Sequence, residues 1–143
     1  MKFNADRMKR SGEMTMFSRE EVLRAHNFLW QREEKRRWER ERRRQEIIQE
    51  VKKAVEAVAP SFAVERVYLY GSLLYSRWRP DSDVDLAVDG VLSYGDLLAL
   101  WAELDARVDQ DVDLRDLARL PFREKVEREG ILVYERKVAR PAK

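Results

Sequence analysis

The feature that most restricts the fold of this chain is a long segment without helix breakers near its start. Neither Gly nor Pro occurs from Met14 to Ala59, and Pro60 follows directly. Ser18 and Glu21 have the spacing of a capping box, which predicts a helix that begins at Ser18. We expect either one helix, on the order of 60 Å long at 1.5 Å per residue, or two helices that meet at a bend within the charged stretch 32–44.

Downstream of Pro60 the pattern changes to short runs rich in β-branched residues, separated by segments with helical spacing. A helix capped by Ser93 carries apolar residues on one face, and another runs from about Pro121 to Glu129. Strands that alternate with helices are typical of an α/β fold. We therefore predict a small mixed sheet of three or four strands with flanking helices, and the predicted strands are Val67–Tyr70, Asp83–Val88, Asp111–Leu114 and Ile131–Tyr134.

Length and composition limit both the organisation and the chemistry. At 143 residues the chain has room for one catalytic domain. The absence of cysteine excludes thiol catalysis, and a single histidine excludes a histidine-cluster metal site. A net charge of +2 indicates no general affinity for polyanions. No apolar run approaches the ~18 residues of a membrane span, so we expect a cytoplasmic protein.

The predicted organisation is a flexible tail over 1–17, a charged helical extension over 18–45, a folded domain over 46–138 and a short tail over 139–143.

Acidic residues alternate with apolar ones in two of the predicted strands. Because side chains alternate across a strand, we expect Asp83 and Asp85 on one face and the core on the other. In the next strand, Asp111 and Asp113 repeat the pattern. If the two strands are neighbours, three or four carboxylates converge, and oxygen ligands of this kind suit Mg²⁺. Such a cluster can hold two metal ions ~3.5–4 Å apart.

A Gly-Ser pair follows the first predicted strand. Gly71 allows the backbone to approach a ligand closely, and free N–H groups at the start of a following short helix attract phosphate. The Ser72 hydroxyl adds a further donor. Arg77 and Arg79 follow closely. They are either phosphate ligands, since guanidinium binds phosphate in a bidentate manner, or solvent-facing loop residues.

The two motifs stand at a specific spacing. Gly71-Ser72 is followed, after ten residues, by Asp83-Val84-Asp85. Together with the Val112–Leu114 strand and the closing Glu129–Glu135 segment, this spacing resembles that of the minimal nucleotidyltransferase family of the DNA polymerase beta superfamily. The resemblance implies a polymerase-beta-like nucleotidyltransferase fold in the folded domain.

The resemblance also implies roles for the carboxylates. By matching positions, Asp83 and Asp85 are expected to ligate Mg²⁺. Asp113 is expected to be the third carboxylate, which ligates metal and activates the acceptor hydroxyl. Asp111 is the reserve candidate for that third role because it shares the predicted face of Asp113.

The same resemblance implies a substrate and a partner. Family members transfer a nucleoside monophosphate from an NTP and release pyrophosphate, so Gly71 and Ser72 are expected to hold the phosphates of ATP or another NTP. Many small members are antitoxins encoded beside a HEPN-family toxin, and some add AMP to a tyrosine of that toxin. We therefore expect AMP transfer to a hydroxyl on a HEPN-type toxin. The chain departs from the family at 73–76, where small members commonly carry an arginine and a glycine.

Two functions of other classes also fit the sequence. The first is a binding module, an antitoxin or scaffold that neutralises its partner by contact and whose carboxylates are idle. The second is an RNA-associated protein that uses the arginine-rich stretch 32–44, although Glu33–Arg37 and Glu39–Arg43 spacing favours a solvated helix face. Leu23, Trp30 and Trp38 also offer anchors for another protein or a second copy, so we consider a homo-oligomer formed through the N-terminal helix.

Overall fold

The computed structural model describes residues 16–75 and 78–137. The predicted tails over 1–17 and 139–143 lie almost entirely outside these residues, and so does Arg77. Three short 3₁₀ turns cover Ala59–Ser61, Gly71–Leu74 and Leu117–Arg119. The helices are α1 (Arg19–Val58), α2 (Tyr94–Arg107) and α3 (Arg123–Glu129), and the strands are β1 (Val64–Tyr70), β2 (Val84–Gly90), β3 (Val112–Asp116) and β4 (Ile131–Glu135).

Of the two alternatives for the N-terminal segment, the chain forms the continuous helix. α1 has 40 residues, and the Glu21 N–H donates to Ser18 Oγ at 3.1 Å, as the capping box predicts. The chain forms two compact units, of which the first ends at Glu39 and the second begins at Arg40. Buried residues of α1 belong to the second unit and recur at helical spacing: Ile47, Ile48, Val51, Ala54, Val55 and Val58.

Ion pairs between successive turns stabilise the charged stretch of α1. Arg37 pairs with Glu34 at 3.8 Å, and Arg43 pairs with Glu46 at 3.3 Å. The predicted partners of Arg37 and Arg43 were Glu33 and Glu39. The structure uses a spacing of three residues instead, because residues three and four apart on a helix are both within reach. The pairs are exposed and individually weak, and they support the interpretation of this stretch as a solvated helix face.

The four strands form one mixed sheet in the order β3-β2-β1-β4. β1 is antiparallel to both β2 and β4, whereas β2 and β3 are parallel and are connected through α2. The predicted small mixed α/β sheet with flanking helices and a long N-terminal helix is therefore confirmed. Among the described residues, no helix is both long enough and apolar enough to cross a membrane.

Apolar side chains cover both faces of the sheet. On one face, strand residues such as Val67 and Leu86 pack with the second-unit part of α1 and with α2 to form the main core. Expecting core on only one face was wrong, because a smaller cluster covers part of the carboxylate-bearing face. This cluster is Tyr68, Ala87, Leu117, Leu120 and Val126, and it includes residues from α3 and the turn before it.

Several predicted strand boundaries need correction, since β1 begins earlier than predicted and the other three strands end later. A core residue in a loop also escaped the sequence analysis. β2 begins at Val84 and β3 at Val112, so Asp83 and Asp111 immediately precede their strands instead of lying in them. Strand pairing begins only where both backbones align, and the first β2–β3 pair is Val84 with Val112. Trp78 lies in the loop between the Gly71 turn and β2, yet its side chain is only 1% exposed.

Candidate functional site

Three polar side chains stand in one row across three neighbouring strands. Tyr70 on β1 is paired with Asp85 on β2, and Asp85 is paired with Asp113 on β3. Directly paired residues project from the same face of a sheet, and neighbouring strands are about 4.8 Å apart. The structure therefore brings Asp85 and Asp113 together, although 27 intervening residues separate them in the sequence.

Asp85 is half-buried, and its surroundings oppose its charge. Burial is the largest cause that raises its pKa, and repulsion from Asp113 and then Asp83 adds to it. Attraction from Arg115 acts in the opposite direction, and the pKa of Asp85 rises from 3.8 to about 6. An approaching cation would relieve this repulsion, so the site favours positive charge beside Asp85.

Among the described residues, Asp113 forms an ion pair with Arg115. The Arg115 guanidinium donates from Nε and Nη2 to Asp113 Oδ2, both at 3.3 Å. Arg115 is two residues further along β3, on the same strand face, and its side chain is 59% exposed. An arginine that is this exposed can move away at little cost, which leaves Asp113 free to contact a ligand.

Gly71 places the turn after β1 against Asp85. Its φ of +82° is unfavourable for residues with a side chain. A Cβ atom at this position would overlap the Asp85 carboxylate. The positive φ and the close approach both require glycine, and the backbone of the Gly71–Leu74 turn therefore lies directly beside the carboxylate. The fold thus brings the Gly-Ser motif and Asp85 together.

The same turn is held from α1 by Arg44, which the sequence analysis did not single out. Arg44 Nη1 donates to the Leu73 carbonyl oxygen at 2.9 Å. Glu41 accepts from Arg44 Nε at 3.0 Å and from Nη2 at 2.8 Å. These hydrogen bonds, with one from Gln45, lower the pKa of Glu41 to about 2. The sequence signal that could have identified Arg44 is its spacing. It lies three and four positions before Ile47 and Ile48, the first buried residues of α1, and so on the helix face that meets the core.

Tyr70 is a second residue that the sequence analysis missed at this site. Its ring packs against that of Phe122, with centroids 5.8 Å apart and planes inclined at 57°. Burial is the main cause that raises the pKa of Tyr70 to about 12, and the negative charges of Asp85 and then Asp113 add to it. The phenol therefore remains protonated at neutral pH and can donate a hydrogen bond at the end of the carboxylate row.

The remaining candidate residues lie at the edge of this row or beyond it. Asp83 is exposed immediately before β2, and its charge still acts on Asp85. Asp111 is also exposed, and its carbonyl oxygen accepts from the Val84 N–H at 2.8 Å. Ser72 is half-buried in the turn. Arg79 is exposed in the loop before β2, where its backbone N–H donates to a serine hydroxyl at 3.2 Å.

The donor set is suited to Mg²⁺ bound together with a phosphate ligand. Within the two described ranges, no three His, Asp or Glu side chains are grouped so that they could hold an ion by themselves. Mg²⁺ commonly uses only one or two carboxylates and completes its shell with water and substrate phosphates. Asp85 and Asp113 supply two adjacent carboxylates, and the backbone of the Gly71 turn lies beside one of them. The residues present therefore fit a magnesium–nucleotide site.

The sheet order, the glycine turn and the adjacent carboxylates define a nucleotidyltransferase fold. The chain belongs to the polymerase beta nucleotidyltransferase family, whose model matches residues 46–139. No curated protein sequence matches the chain significantly.

Several solved structures are similar to this chain. A crystal structure of a toxin–antitoxin with AMP-PNP is 23% identical, covers 60% of this chain and 74% of its own, and has a TM-score of 0.51. A putative nucleotidyltransferase from Sulfolobus solfataricus is 22% identical over 65% of this chain and 84% of its own, with a TM-score of 0.46. A structure of a tri-AMPylated Shewanella oneidensis HEPN toxin with an MNT antitoxin is 24% identical. The match covers 65% of this chain and 73% of the other chain, also with a TM-score of 0.46.

Proposed function

We propose that this protein is a Mg²⁺-dependent nucleotidyltransferase that moves AMP from ATP to a hydroxyl group. The observation that carries the proposal is the placement of Asp85 between Asp113 and the Gly71 turn. Family membership over residues 46–139 supports the same chemistry. The net reaction forms a bond between the acceptor oxygen and the α-phosphorus and breaks the bond to pyrophosphate. The acceptor proton passes to a base.

Each proposed residue has a role in this reaction, and Asp113 has two. Asp85, Asp83 and Asp113 would hold the metal, which would supply positive charge to neutralise the phosphates and polarise the acceptor hydroxyl. Backbone N–H groups of the Gly71 turn and the Ser72 hydroxyl orient the phosphates. Asp113 Oδ receives the acceptor proton, a role that suits a carboxylate at the edge of the row. Arg79 and Arg77 are proposed as further phosphate ligands.

We further propose that the acceptor is a hydroxyl on a HEPN-type toxin and that the protein acts as its antitoxin. Two observations support this partner. The Gly71-Ser72 and Asp83-Val84-Asp85 spacing resembles that of minimal nucleotidyltransferase antitoxins. The fold is shared with a chain from a toxin–antitoxin structure that contains AMP-PNP.

Label transfer from α-labelled ATP tests the proposal. The purified protein is mixed with Mg²⁺ and the product of the adjacent gene, and label on that product is the expected result. Asp85→Asn should abolish transfer, whereas Asp109→Asn, which removes an exposed carboxylate outside the row, should retain it. Asp111→Asn and Asp113→Asn compared under the same conditions identify the third carboxylate. Transfer that survives Asp85→Asn would contradict the assignment.

Two observations favour the binding module as the second candidate. The described residues contain no three-ligand metal group, and Leu73 and Leu74 stand where small family members commonly carry an arginine. A binding module neutralises its partner by contact alone. In that case no label is transferred, and Asp85→Asn still forms a stable, neutralised complex with the partner.

A further inference from the structure

The first unit carries an apolar stripe on α1. Val22, Leu23, Leu29 and Trp30 are each 53–60% exposed, which is high for large apolar side chains on a helix. At 100° per residue these four and His26 fall within roughly 120° of the helix circumference. An apolar face of this width is typical of a helix that packs against another element. We call these five residues the N-terminal stripe.

Charged residues of opposite sign bound the stripe. Arg19 lies seven residues before His26, and Glu33 lies seven residues after it. Seven residues are nearly two turns, so both side chains stay on the face that carries His26. The stripe therefore has a positive end and a negative end.

The residues of the stripe are also arranged symmetrically about His26. Leu23 and Leu29 lie three positions before and after it, and Val22 and Trp30 lie four positions before and after it. When two copies of a helix pair antiparallel about a two-fold axis at one residue, positions equally far from that residue share a layer. Apolar residues then meet apolar residues in the two layers on each side of the central His26 layer, where the two imidazoles face each other.

We propose that the N-terminal stripe binds the same stripe of a second copy, antiparallel, with the two-fold axis at His26. In this arrangement Arg19 of each copy lies opposite Glu33 of the other, which forms two ion pairs per dimer. A parallel pair would instead place Arg19 opposite Arg19 and Glu33 opposite Glu33, and like charges would repel. Charge complementarity thus selects both a second copy as the occupant and the antiparallel direction.

The proposed contact uses only residues of the first unit and does not depend on the proposed transfer reaction. Five side chains from each copy bury a surface area at the small end of the range for protein interfaces. The dimer is therefore expected to be weak and concentration-dependent. Neither the metal nor the nucleotide takes part in it.

A single introduced cysteine tests the register, because the natural chain has none. Helix axes 8–10 Å apart, with Cα atoms about 2.3 Å from each axis, place the two Cα atoms of a self-opposed residue roughly 3.5–5.5 Å apart. The upper part of that range suits a disulfide. Full-length His26→Cys should therefore form a covalent dimer on mild oxidation. Gln31→Cys, which lies about 140° round the helix from His26, should form at least fivefold less.

Charge exchange tests the ion pairs in the cysteine-free chain. Sedimentation over a concentration series should show about tenfold weaker dimerisation for Arg19→Glu and for Glu33→Arg, because each creates two like-charge contacts. The combined variant should recover the original affinity within about threefold. Circular dichroism should show unchanged helix content in all three variants.

Three outcomes would overturn the proposal. The first is equal cross-linking at positions 26 and 31, and the second is failure of the combined variant to recover affinity. The third is a chain that remains monomeric at every concentration but protects the N-terminal stripe when the adjacent gene product is added. In that case the occupant of the stripe is the partner protein and not a second copy.

Discussion

At the scale of single residues, the close approach of Gly71 to Asp85 determines the chemistry of the site. The turn can approach the carboxylate only because Gly71 has no Cβ and adopts a φ of +82°. Asp85 is in turn held half-buried beside Asp113, which raises its pKa to about 6. The folded chain therefore maintains an unfavourable negative charge that a cation can relieve.

Asp85→Asn should stabilise the metal-free protein at alkaline pH. The raised pKa means that the folded state holds the Asp85 proton more tightly than the unfolded state. This stabilisation is complete below the unfolded pKa of 3.8 and is lost as pH rises through about 6. A neutral Asn avoids the loss, so the variant should gain about 1 kcal/mol at pH 8, after allowance for solvent screening, and nothing at pH 3.

Urea unfolding of both proteins at pH 3 and pH 8 measures this difference. Asp109→Asn controls for the loss of one carboxylate at an exposed position, and it should not reproduce the gain. A variant that is less stable than the natural chain at pH 8 would contradict the inferred repulsion.

Gly71→Ala should be strongly destabilising. The alanine Cβ would overlap the Asp85 carboxylate, and a positive φ is costly for any residue with a side chain. We expect a loss of about 2 kcal/mol or more, together with loss of the proposed transfer. Gly95→Ala is the matched control, because a Cβ there would have only the Ser93 Oγ at 3.9 Å as a neighbour. Thermal unfolding should show Gly95→Ala to be unchanged or slightly more stable.

At the scale of elements, the site depends on α1 as well as on the sheet. The Arg44 side chain reaches from α1 to the carbonyl of Leu73, at the end of the turn that begins with Gly71 and Ser72. Glu41 orients the guanidinium through two further hydrogen bonds. A helix that flanks the sheet thus fixes the position of the proposed phosphate-binding turn.

Arg44→Ala should loosen this turn. Loss of a donor to a backbone carbonyl costs about 1 kcal/mol of stability, and a mobile turn should bind nucleotide less well. We expect the KM for ATP to rise about tenfold while kcat changes less, as measured by initial rates of label transfer. Arg43→Ala removes a neighbouring arginine that pairs with Glu46 on the helix surface, and it should leave KM unchanged. Equal effects of the two variants would argue against a positioning role for Arg44.

At the scale of the whole molecule, the core lies in the second unit. Every buried apolar residue of the described part of the chain falls between Ile47 and Val133, whereas the first unit ends at Glu39. The stability of the second unit should therefore come from its own packing. The first unit offers exposed apolar and charged surface, which suits it to association and not to core formation.

A shortened chain that begins at Arg40 should fold on its own. It retains all the buried residues, the Arg44 hydrogen bonds and the carboxylate row, so its thermal midpoint should lie within about 5 °C of that of the full chain, a shift of roughly 1 kcal/mol. Scanning calorimetry measures the midpoint. A drop of more than about 10 °C would show that residues before Arg40 contribute to the stability of the core.

Much of the fold could be predicted from local patterns. The Ser18–Glu21 capping box placed the start of α1 correctly, because the interaction spans a single helical turn. Strand alternation located all four strands, but it extended β2 to include Asp83, since alternation alone does not show where pairing begins. The second core cluster was missed because Ala87, a small residue, is covered by residues that come 30 or more positions later.

The sequence by itself determined the helices and strands and the glycine turn, because each depends on neighbours within a few residues. It also contains the spacing of Gly71-Ser72 from Asp83-Val84-Asp85, which can be read directly along the chain. Only the tertiary structure decided that β2 lies between β1 and β3, which places Asp85 between Tyr70 and Asp113. It also decided that Arg44 reaches Leu73. These contacts join residues that are distant in the chain, and they form only when the sheet and the flanking helices pack together, so no local pattern specifies them.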